Sequence, residues 1–251
     1  MHKIGRGYPI VLGHRGASGY APENTMKSFK LALDLNADGV ELDVQMTYDG
    51  KLVVIHDELI DRTSNGKGWV KDHTLEELKE FNFNNHMEGY GFCEIPTLDE
   101  VLELFRGTGK MINIEIKSNI INYPGITKAV IDMVREHDMQ DHVIYSSFNH
   151  QTCLEVEEYD PDAYVGFLYE DDFLNVPDYV RQNHGDALHP ALYFLLDPLY
   201  MPRARKNDLE VNVWTINEEY QMELGCKLGI TTIITNYPDK ALRIVEKYKK
   251  N

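Results

Sequence analysis

The chain has 251 residues, 43% of them hydrophobic and 26% charged, with a formal net charge of −16. That length suits one barrel-sized domain, and the acidic charge repels nucleic-acid backbones and anionic membrane surfaces. No apolar run is long enough to span a membrane, no signal-peptide core follows Met1-His2-Lys3-Ile4, and the three widely spaced cysteines (Cys93, Cys153 and Cys226) read as reduced thiols of a cytoplasmic protein.

Taken in chain order, short apolar runs alternate with helical patterns, which is the signature of a parallel α/β fold. The first strand is expected at residues 9–13 and runs into Gly13-His14-Arg15-Gly16. A histidine titrates near neutrality and an arginine offers a fork that matches phosphate oxygens. The two glycines would let a ligand approach the backbone. Alone, a His-Arg pair is also an ordinary exposed dipeptide.

The second strand is expected at 39–47, paired through an Asp49-Gly50 turn with 52–56. Side chains two apart on a strand share a face. Glu41 and Asp43 therefore point one way, and Val40, Leu42 and Val44 the other. Taken singly, such a Glu-x-Asp is as well read as a solvated strand end or a salt-bridge partner. His56-Asp57 closes the paired run and sets a second imidazole at a strand end.

Residues 57–95 are polar and rich in Asn and Gly, with one short helix announced by Thr74-Leu75-Glu76-Glu77. This stretch is too long for an ordinary barrel loop and reads as an insertion after the second strand. Thr97-Leu98-Asp99-Glu100 opens the next helix, with Leu98, Val101, Leu102 and Phe105 on one face. The strand at 111–117 places Glu115 and Lys117 on a common face, as site residues or as a simple ion pair.

Further strands are expected at 142–147, 163–168, 187–189, 210–216 and 231–235. Phe148 and Trp214, near two of their ends, read equally as a ligand wall and as core packing; His189 reads as structural. Pro238 opens a last helix that ends in a basic turn at Lys247, Lys249 and Lys250. Counting 39–56 as one unit gives eight strands, which favours a closed TIM-type (β/α)8 barrel formed as a single domain over residues 1–251.

In such a barrel, strand C-termini build the active site. Carboxylates converging there are costly unless paired or bound to a metal. An all-oxygen set from Glu41, Asp43 and Glu115 suits a hard divalent cation, Mg²⁺ or Ca²⁺, better than zinc. His14 and His56 across a phosphodiester would serve as general acid and general base.

Read together, the motifs resemble the glycerophosphodiester phosphodiesterase family. The matching segments are Gly13-His14-Arg15-Gly16-Ala17, Ala21-Pro22-Glu23-Asn24-Thr25, Glu41-Leu42-Asp43-Val44, Leu52-Val53-Val54-Ile55-His56-Asp57, Asp61-Arg62-Thr63 with Asn65-Gly66-Lys67-Gly68, Ile95-Pro96-Thr97-Leu98, Asn113-Ile114-Glu115-Ile116-Lys117 and Val213-Trp214-Thr215. The resemblance implies a TIM barrel with a small insertion after its second strand. It implies metal ligation by Glu41, Asp43 and Glu115, acid–base catalysis by His14 and His56, and phosphate contacts from Arg15 and Lys117. The implied substrate is a small glycerophosphodiester; the ligand-wall reading of Trp214 and Phe148, which comes from the residues and not from the resemblance, would put them against its glycerol group. Where an Asp often follows the last-strand threonine in the family, this chain has Asn236, a position outside the implied ligand set. The oligomeric state is left open; a homodimer through barrel helices is one arrangement the sequence allows.

Overall fold

The computed structural model describes residues 3–171 and 175–249. Lys250 of the expected basic turn lies outside the described residues, as do Met1 and His2.

Eight parallel strands close into a barrel. They are β1 (Ile10–His14), β2 (Gly39–Met46), β4 (Met111–Ile116), β5 (Val143–Ser147), β6 (Tyr164–Tyr169), β7 (Ala187–Pro190), β8 (Glu210–Val213) and β9 (Thr232–Thr235). The β1–β2 pairing seals the ring. The short β3 (Leu52–Val54) lies antiparallel on the upper part of β2, pairing Val44 with Val54 and Met46 with Leu52. Residues 39–56 thus form one barrel unit, as the strand count from sequence requires.

The strands alternate because both their faces are buried in different materials. Val11, Val40, Leu42, Ile112, Ile114, Val211 and Ile233 join one large core beneath the helices. That core includes the apolar face of α3 (Leu98–Phe105), with Leu98, Val101, Leu102 and Phe105 all buried. The expected capping box closes the helix start, with Glu100 Oε2 accepting the Thr97 N–H at 2.8 Å and Thr97 Oγ1 accepting the Glu100 N–H at 3.1 Å.

The barrel interior is mixed. Leu12, Ile144, Tyr164, Ala187 and Ile234 form a small apolar floor. At the N-terminal end, Glu210 accepts the backbone N–H groups of Ile4 (3.0 Å) and Gly5 (2.8 Å) and the Tyr164 hydroxyl (2.7 Å), so the first residues plug the barrel bottom. Higher up, Ser146 donates to Asn113 at 3.0 Å and Asn212 donates to His189 Nε2 at 2.8 Å. His189 is fully buried, which supports its structural reading.

The segment after β3 carries a core of its own: Val53, Ile55, Ile60, Val70, Leu78, Phe83 and Ile95. It contains a 3-10 turn (Val70–Asp72) and α2 (Leu75–Lys79), whose Thr74 capping box forms as expected. This packing stands the segment over the C-terminal end of β2, where the polar ends of the strands converge.

Two measurements test the interior. A Cβ at Gly166 would lie 2.0 Å from His189 Nε2, so Gly166→Ala overpacks the barrel and is expected to cost about 1–3 kcal/mol in urea unfolding. Burial pushes the His189 imidazole down to about 3. An unfolded histidine, near its ordinary value of about 6.5, binds a proton that the folded one refuses. Stability therefore falls as pH drops below about 6.5, by up to roughly 1.4 kcal/mol per pH unit. Between pH 7 and pH 5, His189→Gln is expected to lose less stability than the parent; equal losses would exclude His189 as the source.

Candidate active site

The site grows from the turn that follows β1. Arg15 takes a left-handed φ of 54°, and Gly16 one of 84°. A Cβ on Gly16 would strike Ser28, and one on Gly13 would strike the Gly16 carbonyl at 2.7 Å. Both glycines therefore serve the turn's packing on itself and on α1 (Met26–Asp34). The tight turn aims the Arg15 backbone N–H at Glu41 Oε2, 3.0 Å away, and folds its side chain back over the strand ends. There Arg15 Nη1 donates to Glu23 Oε1 at 2.8 Å, and Nε lies 3.5 Å from Asp43 Oδ2.

Glu41 and Asp43 point inward on β2, as their spacing demands, and register places Glu115 of β4 directly beside Asp43. The three carboxylates offer oxygen atoms all within 4.8 Å of one another, and all three residues are buried. Asn24 donates to Asp43 Oδ2 at 2.8 Å, while Asp43 Oδ1 has no hydrogen-bond partner. Lys117 Nζ sits 3.1 Å from Glu115 Oε1 and 3.4 Å from His56 Nε2. Lys117 is thus both the ion-pair partner of Glu115 and a neighbour of the site, which unites the two readings its sequence position allowed.

The two imidazoles are held by the same atom. His14 Nδ1 lies 2.7 Å from Asn236 Oδ1, and His56 Nδ1 lies 2.6 Å from Asp57 Oδ1. In each case Nε2 remains for the site; that of His14 is 3.9 Å from Glu41 Oε2. His14, Arg15, Glu41, His56 and Glu115 line one cavity of about 90 Å³ together with Phe148, Leu168 and Trp214. Phe148 meets Trp214 edge-on, with ring centroids 5.5 Å apart. The indole N–H donates to the His189 carbonyl at 2.8 Å. Trp214 therefore packs against the core on one edge and faces the cavity on the other.

Electrostatics explain what this arrangement wants. Burial, then the neighbouring Asp43 and Glu115, push Glu41 well above the usual carboxylate range. Burial opposes ionisation of Asp43 as well, but Arg15, His56 and Lys117 outweigh it and bring the carboxyl down to about 2. Burial and the adjacent Arg15 lower His14 to about 4. Five carboxylates (Glu23, Glu41, Asp43, Asp57 and Glu115) face Arg15, Arg62 and Lys117, which when all are ionised leaves two negative charges. Three oxygen donors, an orphaned buried carboxylate oxygen and that charge deficit fit one divalent cation.

All nine residues singled out from the sequence meet at this end of the barrel. Glu23, Asn24, Asp57, Arg62 and Asn236 contact them and were given no role by sequence reasoning. Asn236 and the Arg62–Glu23 pair reach partners 222 and 39 positions away, whereas Asp57, Glu23 and Asn24 bond residues 1, 8 and 19 positions away.

Comparison with known proteins bears on this geometry. The model of the glycerophosphoryl diester phosphodiesterase family matches residues 14–240. A glycerophosphodiester phosphodiesterase of Caldanaerobacter subterraneus subsp. tengcongensis is 41% identical, over 95% of this chain and 98% of its own. One of Bacillus altitudinis is 39% identical, over 95% and 99%. Among solved structures, an Oleispira antarctica phosphodiesterase in complex with the product sn-glycerol-3-phosphate superposes with a TM-score of 0.85 at 27% identity, over 95% of this chain and 97% of that one.

The raised Glu41 carries a further expectation. Metal uptake must expel the proton that the crowded carboxylates retain. Calorimetric titration of metal-stripped protein with Mg²⁺ or Ca²⁺, repeated in buffers of different ionisation heat, is expected to show proton release and an affinity that rises with pH. Glu41→Gln should abolish the release and weaken binding at least tenfold; unchanged binding would remove Glu41 from the ligand set.

Proposed function

Because the chain belongs to the glycerophosphoryl diester phosphodiesterase family, we propose that its barrel mouth cleaves the diester by histidine acid–base chemistry beside one divalent cation, Mg²⁺ or Ca²⁺, held by Glu41, Asp43 and Glu115. The chain is an enzyme that hydrolyses glycerophosphodiesters to sn-glycerol 3-phosphate and an alcohol. The observation that supports the mechanism best is the pair of imidazoles, each tethered at Nδ1, whose rings line one cavity with Glu41 and Glu115, two of the three clustered carboxylates.

When bound, the cation supplies a Lewis acid that offsets charge developing on the phosphoryl oxygens. The protein's own groups do the rest. The guanidinium of Arg15, braced by Glu23, and the ammonium of Lys117 hold the phosphate. One of His14 and His56 takes the proton of the attacking hydroxyl, either from water directly or from the neighbouring glycerol hydroxyl, the second route passing through a cyclic phosphate that water then opens to glycerol 3-phosphate. The other gives a proton to the departing alcohol oxygen. Trp214, Phe148 and Leu168 form an apolar wall for the glycerol carbons. A cavity of about 90 Å³ is of a size for that three-carbon unit, which supports a small glycerophosphodiester as substrate.

Residues 1–251 act in this reading as one domain, with 57–95 as an insertion over the mouth. No helix among the described residues is long and apolar enough to cross a membrane. Three free cysteines, two of them buried, support a reducing, cytoplasmic setting.

The test is release of glycerol 3-phosphate from glycerophosphocholine by metal-stripped protein, with Mg²⁺, Ca²⁺ or Mn²⁺ added back. Restored release that is lost in Glu41→Ala is expected. His14→Ala and His56→Ala should each lower kcat by roughly 10²–10⁴-fold. A His14→Ala enzyme with full kcat would refute its role.

A further inference from the structure

The Asp61-Arg62-Thr63 motif stands in the insertion and takes no part in the chemistry above. Arg62 nevertheless makes the densest set of ionic contacts around the site. Its Nε donates to Asp57 Oδ2 at 2.6 Å and its Nη2 to Asp57 Oδ1 at 3.1 Å. Its other edge donates to Glu23, from Nη1 to Oε2 at 2.9 Å and from Nη2 to Oε1 at 2.7 Å. Both carboxylates are therefore gripped in two-pronged fashion by one planar fork.

Each of those carboxylates has a second duty. Asp57 Oδ1 also holds His56 Nδ1, and Glu23 Oε1 also holds Arg15 Nη1. A continuous chain of charged hydrogen bonds therefore runs from Arg15 through Glu23, Arg62 and Asp57 to His56. Its ends lie on different elements, the β1–α1 turn and the end of the β3 segment. No direct contact between Arg15 and His56 is recorded among the described residues.

We propose that Arg62 is a positioning residue for diester cleavage: its guanidinium locks the phosphate-holding Arg15 and the proton-transferring His56 into one frame without touching the substrate. This rests on the roles given to Arg15 and His56 above. Side-chain geometry explains why arginine is needed. A lysine ammonium is a point charge and cannot hold two carboxylates each by two bonds. Charge supports the same view. Burial opposes ionisation of Glu23 and of Asp57, yet the Arg62 contacts, with Arg15 for Glu23 and His56 for Asp57, hold both below the usual carboxylate range. Stability is not the reason for the pairing. The Arg62 side chain is 45% exposed, and ion pairs of that exposure contribute little to folding.

The experiment uses full-length, metal-loaded protein and glycerophosphocholine. Arg62→Ala is expected to lower kcat by about 10²-fold, the usual effect of misplacing a reacting group by about an ångström, with KM and metal affinity changed less than about threefold. Added methylguanidinium should restore part of kcat. Arg62→Lys, which keeps the charge but not the fork and guards against misfolding of the alanine variant, should recover at most a tenth of the parent kcat. In a background of Glu23→Gln and Asp57→Asn, Arg62→Ala should have almost no further effect. Near-parent kcat in Arg62→Ala would overturn the proposal, as would full rescue by lysine or additive effects in the triple variant. A large rise in KM at constant kcat would also overturn it, by showing that Arg62 binds substrate directly. An inactive parent enzyme would instead overturn the functional reading and this proposal with it.

Discussion

Everything at the mouth of this barrel answers to one repulsion. Glu41, Asp43 and Glu115 are buried within 4.8 Å of one another, where like charges interact strongly and solvent does not screen them. Left to themselves they would protonate, and Glu41 moves that way. The fold instead surrounds them with donors: the Arg15 backbone and side chain, the Asn24 amide and the Lys117 ammonium. These donors belong to the β1–α1 loop and to the end of β4. The unusual turn at Arg15, with its two glycines, is what brings a backbone N–H to Glu41 and a guanidinium beside Asp43 and Glu23. The residual charge deficit is what the proposed divalent cation would satisfy. An arrangement so poor in intrinsic stability makes sense as a binding site and not as a structural ion cluster.

Much of this was legible in the sequence, for definite reasons. Period-two alternation put Glu41 and Asp43 on one face and their valine and leucine neighbours on the other. Burial of Val40, Leu42 and Val44 under the helices forces that orientation. Capping boxes at Thr74 and Thr97 are local in sequence, so they could be read directly. The parts that stayed hidden depend on closure of the ring. Asn236 reaches His14 only because β9 lies beside β1, and strand pairing of the chain's two ends is not a property of any short window. Likewise Arg62 and Glu23 are 39 positions apart and meet only when the insertion folds back over the first turn. Gly13 and Gly16 were expected to admit a ligand; what the structure shows at both is close packing. Their absent side chains make room for the protein's own backbone and Ser28.

The insertion shows how a long polar stretch can be ordered. Its seven-residue core holds it on β3, and its charged residues reach across to the barrel loops. Of the apolar residues in the segment that fit no periodicity, Phe83 is buried in this second core and Phe81 packs on it, while Leu59, Trp69 and Phe92 stay exposed. Functional groups near the site therefore divide between a rigid layer on strand ends and an outer layer carried by the insertion.

The N-terminal plug on Glu210 has a consequence for traffic. Among the described residues, Ile4, Gly5 and Tyr164 close the barrel bottom on Glu210, with Leu12 and Ile234 packed above them. If the diester enters at the strand C-termini, as the proposed site requires, it and its products use the same mouth, so the fragment seated deeper against Trp214 and Leu168 would leave second and compete with fresh substrate.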